Sequence, residues 1–441
     1  MAQLVEQEKQ INPRLAHYLA EYRRSIEGGP QPRWVTQARE SAIAQFERLG
    51  FPTTKIEQWR FTSVEPIVER TFSLAVDGAG NAGEHARPLS APVAHAVCVN
   101  GRFAPHLSSN LGKLPGGIRV LGLEAAIESE SSLVEPYLAK LSLTQTNAFT
   151  SLNTAFLRDG VVLFIPPRVV LEQPIEITFA SISEGGGSVS HPRLLIVAGE
   201  ASQATVLERY VGQGPAFTNA VGEVWLGASA VVDHYKLQEE SVDAFHIASM
   251  FLHAARGGTF SSHSLTFGGR LVRNDVVATL DGEGVDCTLN GLYVGRDTQL
   301  IDNHTTIDHA LPHCGSHEVY KGILADHARA VFNGKIIVRP DAQKTDAKQT
   351  NKALLLSDEA NINSKPELEI FANDVKCTHG AAIGQLDDAA MFYLRSRGLG
   401  VAESRAMLVH AFAGDILNRV KIEPVREYLE DILTARLPHV D

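Results

Sequence analysis

The sequence predicts a mainly β protein in which a β-solenoid core lies between an N-terminal and a C-terminal helical region. Three observations carry that expectation. Helical spacing of apolar residues stops after Asn147 and resumes only at Asp387. Between those points short β-branched or apolar runs alternate with Gly, Asp and Asn. Val161-Val162-Leu163-Phe164-Ile165 ends at Pro166-Pro167, and Ile175-Glu176-Ile177-Thr178-Phe179 runs toward Gly185. Within this stretch a loose echo returns: an apolar residue, a small or acidic one, then another strand. It stands at Val197-Ala198-Gly199, Leu226-Gly227-Ala228, Leu252-His253-Ala254, Leu280-Asp281-Gly282, Leu324-Ala325-Asp326 and Leu356-Ser357-Asp358. Its steps are 29, 26, 28, 44 and 32 residues, and Val294-Gly295-Arg296 lies near the middle of the long step. Such a period, built from short strands alone, is expected of a solenoid whose coils bury an apolar column only by stacking. A β-sandwich with turns at roughly 8–12-residue spacing is the alternative on spacing alone.

The flanks follow from a different period. From about Glu6 to Leu49, apolar residues such as Leu15, Tyr18, Leu19 and Tyr22, then Ile43, Phe46 and Leu49, recur at three- and four-residue intervals. Gly28-Gly29-Pro30-Gln31-Pro32 divides this stretch into two helices. Residues 87–122 mix short apolar runs with Pro and Gly, and Glu124 to Leu141 reads as helix. At the other end Asp387-Asp388 offers an N-cap with an acidic first turn. Apolar stripes then run from Phe392 and Leu394 through Met407, Phe412, Ile416 and Val420 to Leu433. The expected units are 1–146, helical and mixed; 147–386, the solenoid; and 387–441, a helical tail.

Composition excludes several classes of function. The 441 residues carry 40 Lys+Arg against 51 Asp+Glu, a net charge of −11 that repels nucleic-acid phosphates. No apolar run reaches the roughly 18–20 residues of a membrane span. The opening residues are acidic and polar, unlike a signal or transit peptide. Cys98, Cys287, Cys314 and Cys377 show no CxxC spacing, which suits a reducing compartment. The expected location is the cytoplasm. Gly334-Lys335 lacks the rest of a phosphate-binding loop, so any nucleotide chemistry belongs to a partner.

Two clusters could carry chemistry. Asp302-Asn303-His304, His309, His313-Cys314 and His317 have the density of metal ligands, yet strand alternation need not bring them to one point. His304 to His317 are expected at the surface, with an accessory role toward iron left open. The second is Lys376-Cys377-Thr378-His379. A Cys and a His two apart on a strand leave the same face and offer the thiolate and imidazole that iron accepts. The same spacing equally suits a half-buried Cys beside a surface His.

Longer stretches resemble a known family. They are Lys344-Thr345-Asp346, Gln349-Thr350-Asn351, Leu354-Leu355-Leu356 and Lys365-Pro366-Glu367-Leu368-Glu369-Ile370. Asp374-Val375-Lys376-Cys377-Thr378-His379-Gly380-Ala381 and Phe392-Tyr393-Leu394-Arg395-Ser396-Arg397-Gly398 continue the series. Together with Glu57-Gln58-Trp59-Arg60-Phe61-Thr62 near the N-terminus, they resemble the SufB/SufD family of iron–sulfur cluster assembly proteins, and its SufD-like members above all. SufB-like chains carry a cysteine where this one reads Lys352-Ala353-Leu354-Leu355-Leu356, and His-Glu-Ala in place of the Lys376–His379 run. The resemblance implies a right-handed parallel β-helix and a non-enzymatic scaffold. It implies pairing with the paralogue SufB and docking of the ABC-type ATPase SufC on the C-terminal helical region, including Phe392 to Gly398. His379 and Cys377 are then the metal-site residues at the SufB–SufD interface, around a transient iron–sulfur cluster shared with SufB. No cofactor is implied as tightly bound to the isolated chain, and a reduced flavin is left to the assembled complex. A homodimer is plausible on an unpaired sheet edge when the paralogue is absent. The tail's apolar stripe admits a second use, packing against the β-helix itself.

Two other functions fit a solenoid. A carbohydrate-active enzyme needs paired carboxylates in a groove, for which Asp302, Asp308 and Asp326 are the candidates. An iron store or carrier would use the His-rich segment.

Overall fold

A computed structural model describes residues 13–26, 31–75, 82–112, 114–183, 185 and 187–436. The expected break at Gly28-Gly29-Pro30 and the start of the first helix lie outside those residues. Eight coils, each of two strands joined by turns, build two long sheets. The first sheet stacks Gly160–Ile165, Arg193–Ala198, Ala216–Leu226, Phe245–Ala254, Leu271–Leu280, Leu300–His309, Arg329–Val338 and Asn361–Ile370. The second stacks Ile175–Ile182, Gln203–Gln213, Val231–Gln238, Thr259–Thr266, Asp286–Gly295, Gly315–Leu324, Asp346–Leu355 and Lys376–Gly384. All neighbours along these two stacks are parallel, so the core is a β-solenoid. From Phe217 onward the first-sheet register advances 28, 26, 29, 29 and 32 residues per coil, through Phe245, Leu271, Leu300 and Arg329 to Asn361.

That register explains the uneven echo. Its first four members end strands of the first sheet, whereas Leu324 and Leu356 lie at the ends of second-sheet strands. The 44-residue step is therefore one and a half coils, and Val294-Gly295 ends the second-sheet strand in between.

The turns stack as regularly as the strands. Each of the first seven passages from the first sheet to the second holds one residue in the left-handed region: Arg168, Ala201, Ser229, Gly257, Gly284, His313 and Lys344, with φ between 54° and 70°; the last passage, between Ile370 and Lys376, has none. Each of their N–H groups donates to a turn carbonyl of the next coil at 2.6–3.1 Å, from Arg168 to Glu200 O up to Lys344 to Asp374 O. A non-glycine residue there costs roughly 1–2 kcal/mol, which the added bond offsets in part.

Both outer faces are covered. The first sheet's Phe217, Phe245, Ile247, Leu271 and Val331 pack against Trp59, Ile67, Phe72 and Phe149 of the N-terminal region. The helix Ala148–Ala155, where the sequence reading places the solenoid's beginning, is buried throughout and capped by Asn147, whose side chain accepts from Phe149 N and Thr150 N. On the second sheet, Leu207, Tyr235, Leu265, Leu292 and Ile323 pack against the tail helices Val401–Leu417 and Glu423–Arg436. Val409, Ala413, Ile416, Leu429 and Leu433 supply the facing side. Lys321 pins this contact, donating to Phe412 O and pairing with Asp415, both at 3.0 Å. Most of the tail's stripe thus serves the solenoid's flank and is not free for a partner.

The two ends differ. At one, Ala94–Val99 extends the second sheet and Arg119–Gly122 closes the first in antiparallel fashion. At the other, Asn361–Ile370 and Lys376–Gly384 are edge strands. Of the latter strand only Cys377 is even half-buried.

The lumen between the sheets is apolar near the turns and polar along its middle. Glu208 lies 2.8 Å from His234, and Glu240 lies 2.7 Å from His246. Lys236 Nζ donates to Asn274 Oδ1 at 2.8 Å, and burial pulls its ammonium down to about 8. Nearer the open end Glu318 accepts from Gln349 Nε2 at 2.7 Å, and burial pushes its carboxyl up to about 7.

A carboxyl raised in the folded state leaves the protein most stable below the unfolded pKa, and that advantage disappears as pH rises through the folded value. Glu318→Gln should therefore match wild type near about pH 4 and exceed it increasingly with pH. The difference should level off above about pH 8 at no more than about 3 kcal/mol. Urea midpoints across that range check it; a pH-independent difference contradicts it.

Candidate functional site

In-register stacking decides what the rim exposes. His379 is the last member of a column that runs Val206, His234, Ser262, Leu289, Glu318, Gln349, His379. Every member below it is buried and faces the lumen. His379 keeps the same orientation with no coil above it, so it is exposed. Cys377 tops the neighbouring column above Cys287, Ser316 and Ala347, and packs near Ile336, Val338 and Ala372. The strand therefore brings Cys377 and His379 to one face at the open mouth.

Lys376 leaves the opposite face and does not promote a thiolate. Burial, with Asp346 nearby, raises the Cys377 thiol above its ordinary value. A metal could still deprotonate it, at a cost in affinity that falls with rising pH. Among the described residues no group of three or more His, Cys, Asp or Glu is placed to hold a metal ion. The rim supplies two donors, and iron in a cluster usually takes more, so a complete shell needs ligands from outside this chain.

The two edges at the mouth are unlike. The first-sheet edge carries Pro366, with Lys365, Glu367 and Glu369 on its outer face, features that discourage strand addition. The second-sheet edge, Lys376–Gly384, offers Gly380, Ala381, Ala382, Ile383 and Gly384 with neither charge nor proline. Beside it Ile383 is 51% exposed and Phe371 62%. The short helix Asp388–Ser396 follows immediately, capped by Asp387. It exposes Phe392 at 75% and Tyr393 at 57%, with Arg397 over the Tyr393 ring. Arg395, Ser396 and Gly398 are exposed there as well, and Leu394 is half-buried.

The other predicted clusters disperse. His304 lies on the outer side of the first sheet, His309 is buried in the lumen against Ser316, and His313 occupies its left-handed turn. Cys314 is buried and His317 is exposed on the second sheet. The expectation that the group is all surface is thus corrected at His309 and Cys314, and no common metal centre forms. Asp302, Asp308 and Asp326 are likewise committed elsewhere: to Arg273, to Arg339 and to the backbone of Asp297. Burial would raise Asp302, but Arg273 and His304 hold it down at about 2.

The Glu57–Thr62 motif is the clasp on that outer face. Trp59 stacks on the Arg273 guanidinium at 3.8 Å, Thr62 Oγ1 donates to Asp302 at 2.6 Å, and Glu57 pairs with Lys365 of the last coil. Its clefts include a cavity of about 300 Å³ lined by Trp59, Arg273 and His304. Sequence reading missed the lumen pair Glu318 and Gln349, because isolated polar residues on a strand look like solvent-facing ones.

Two family models cover most of the chain: "SufBD protein N-terminal region" over residues 10–177, and "SUF system FeS cluster assembly, SufBD core domain" over residues 180–412. An iron–sulfur cluster assembly SufBD family protein of Synechocystis is 32% identical over 427 residues, covering 92% of each chain. The iron–sulfur cluster assembly protein SufD of Escherichia coli is 30% identical over 400 residues, 90% of this chain and 92% of that one. SufD of Bacillus subtilis is 25% identical over 430 residues, 95% and 97% of the two chains.

Proposed function

The chain belongs to the SufBD family of the SUF iron–sulfur cluster assembly system, and on that premise we propose that it is a non-ATPase scaffold subunit whose open rim pairs with a SufB-type solenoid. The observation that carries this reading is the uncovered last coil. Its edge strands have backbone groups to offer, and two potential iron ligands, His379 and Cys377, stand together at its mouth. The cluster is cargo, held between two chains and later released.

The donor types suit that task. Thiolates hold iron and accept sulfide, while an imidazole binds iron more weakly and lets go on protonation. The SufB-type partner contributes thiolate, His379 completes the shell across the interface, and Cys377 supports it. No cofactor stays tightly bound to this chain, and any reduced flavin enters with the complex. In the partner's absence the same bare edge pairs two copies of this chain. The site of action is the cytoplasm.

An ABC-type ATPase of the SufC kind docks on the helix Asp388–Ser396 and the turn behind it, through Phe392, Tyr393, Leu394, Arg395, Ser396, Arg397 and Gly398. Only Gln385, Leu386 and Asp387 separate that helix from the rim strand, so force applied there reaches the rim directly. Docking through the longer tail helices is not part of the proposal, since their apolar faces are occupied.

Two substitutions test the two halves separately, each in a complex purified with SufB- and SufC-type partners. His379→Ala should leave the complex intact and lower cluster formation from ferrous iron and sulfide by about tenfold or more, read as visible absorption under anaerobic conditions. Normal yield in that complex contradicts the ligand assignment. Phe392→Asp should release the ATPase in co-purification while the solenoid partner remains; full retention of the ATPase refutes the docking surface. Deleting the tail would not serve, because it strips the second sheet of its cover.

A further inference from the structure

Resting on the reading of His379 as an iron ligand, we propose that Gln349 is its positioning residue: the Gln349 side-chain carbonyl accepts the His379 ring N–H when a partner covers the rim, and so fixes which imidazole nitrogen faces the cargo.

Gln349 is the register partner of His379, one coil below and on the same lumen face. Register partners in parallel strands sit about 4.8 Å apart, within reach of a side-chain hydrogen bond. Gln349 is 1% exposed. Its Nε2 donates to Glu318 at 2.7 Å, which fixes the direction of the amide and leaves the carbonyl pointing elsewhere. That carbonyl, Oε1, is buried with no hydrogen-bond partner, a costly state for an acceptor unless something comes to fill it. In the column, the place above it belongs to His379.

The neighbouring sheet makes room for this amide. A Cβ added at Gly334 would lie 2.2 Å from Gln349 Nε2 and 2.6 Å from its Cδ. Gly334 sits inside a strand without a left-handed backbone, so turn geometry does not call for a glycine there. Space for Gln349 does. Two positions on two strands are thus shaped around one side-chain amide.

The acceptor's chemistry suits a releasable ligand. With one ring N–H held by a carbonyl, the other nitrogen presents its lone pair past the rim. A neutral carbonyl orients the ring without adding the charge that a carboxylate partner would bring, which keeps the imidazole a weak ligand.

The test uses the full chain bound to its SufB-type partner, with ¹⁵N-labelled histidine and His379→Ala to identify the His379 signals. Wild type should show one neutral tautomer at His379, and Gln349→Met a mixture of both. Glu318→Leu/Gln349→Met, which leaves no buried carboxylate unpaired, should show the same mixture even where the single variant folds poorly. The exchange Glu318→Gln/Gln349→Glu, which keeps a donor below and an oxygen above, should restore a single tautomer. Cluster yield should fall about tenfold in the Met variants and return to within about twofold in the exchange. A single, unchanged tautomer in the Met variants overturns the proposal. Should His379→Ala assemble clusters normally, the ligand reading fails by itself, and the tautomer comparison still decides the part played by Gln349.

Discussion

Stacking of parallel coils in register is the constraint from which everything else in this molecule follows. A coil forms few backbone bonds within itself, so its N–H and C=O groups are satisfied by the coils on either side. The same rule applies to side chains, which pile into columns, and to turns, where seven left-handed residues each donate to the coil ahead. Such an arrangement has no internal reason to stop. Each end must be closed by something else, and the way each is closed separates structure from function.

One end is closed from within. The N-terminal region contributes strands that terminate both sheets, and its aromatic residues line the first sheet's outer face. The other end is left unfinished, with the same columns emerging at its mouth. The first-sheet edge is guarded by charge and by Pro366, and clasped by the Lys365 pair with Glu57. Beyond Lys376 the second-sheet edge has neither protection, and it carries His379 and Cys377. An unprotected sheet edge invites strand addition. In the function proposed above, this edge and the His379–Cys377 pair would join partner binding and cargo binding at one place, with the exposed Phe392 helix next to it as the handle for a third component.

Much of the fold was legible in the sequence, and the parts that were not have definite causes. The solenoid period was visible because strand ends carry apolar and small residues, yet the echo slipped from one sheet to the other, since both sheets end their strands alike. The stronger repeat, one left-handed residue per coil, was hidden: five of its seven members carry side chains as different as Arg168 and His313, because the stacked hydrogen bond and not the residue type selects the conformation. The helix at Ala148–Ala155 escaped because it is only eight residues long and buried at every position, so no polar face sets it apart from the strands that follow. The motif around His379 lies on the last strand of the second sheet. What lies beneath it did not show, since a polar residue facing a lumen and one facing water look the same in a single strand. The tail's apolar stripes are visible in the sequence, but periodicity does not say which surface they cover, and most of that surface is the chain's own second sheet.

The central claim is that the bare edge at Lys376–Gly384 is where a partner solenoid adds its strand. Hydrogen exchange followed by mass spectrometry, on the full chain alone and bound to its SufB-type paralogue, addresses it directly. The outward amides of 376–384, those not bonded to Asp346–Leu355, should exchange rapidly in the free chain and slow by about tenfold or more in the complex, while those of Asp286–Gly295, paired on both sides, stay as they were. Equal exchange across 376–384 in a complex that has demonstrably formed would mean that the partner binds elsewhere, and that the unfinished coil is not the interface.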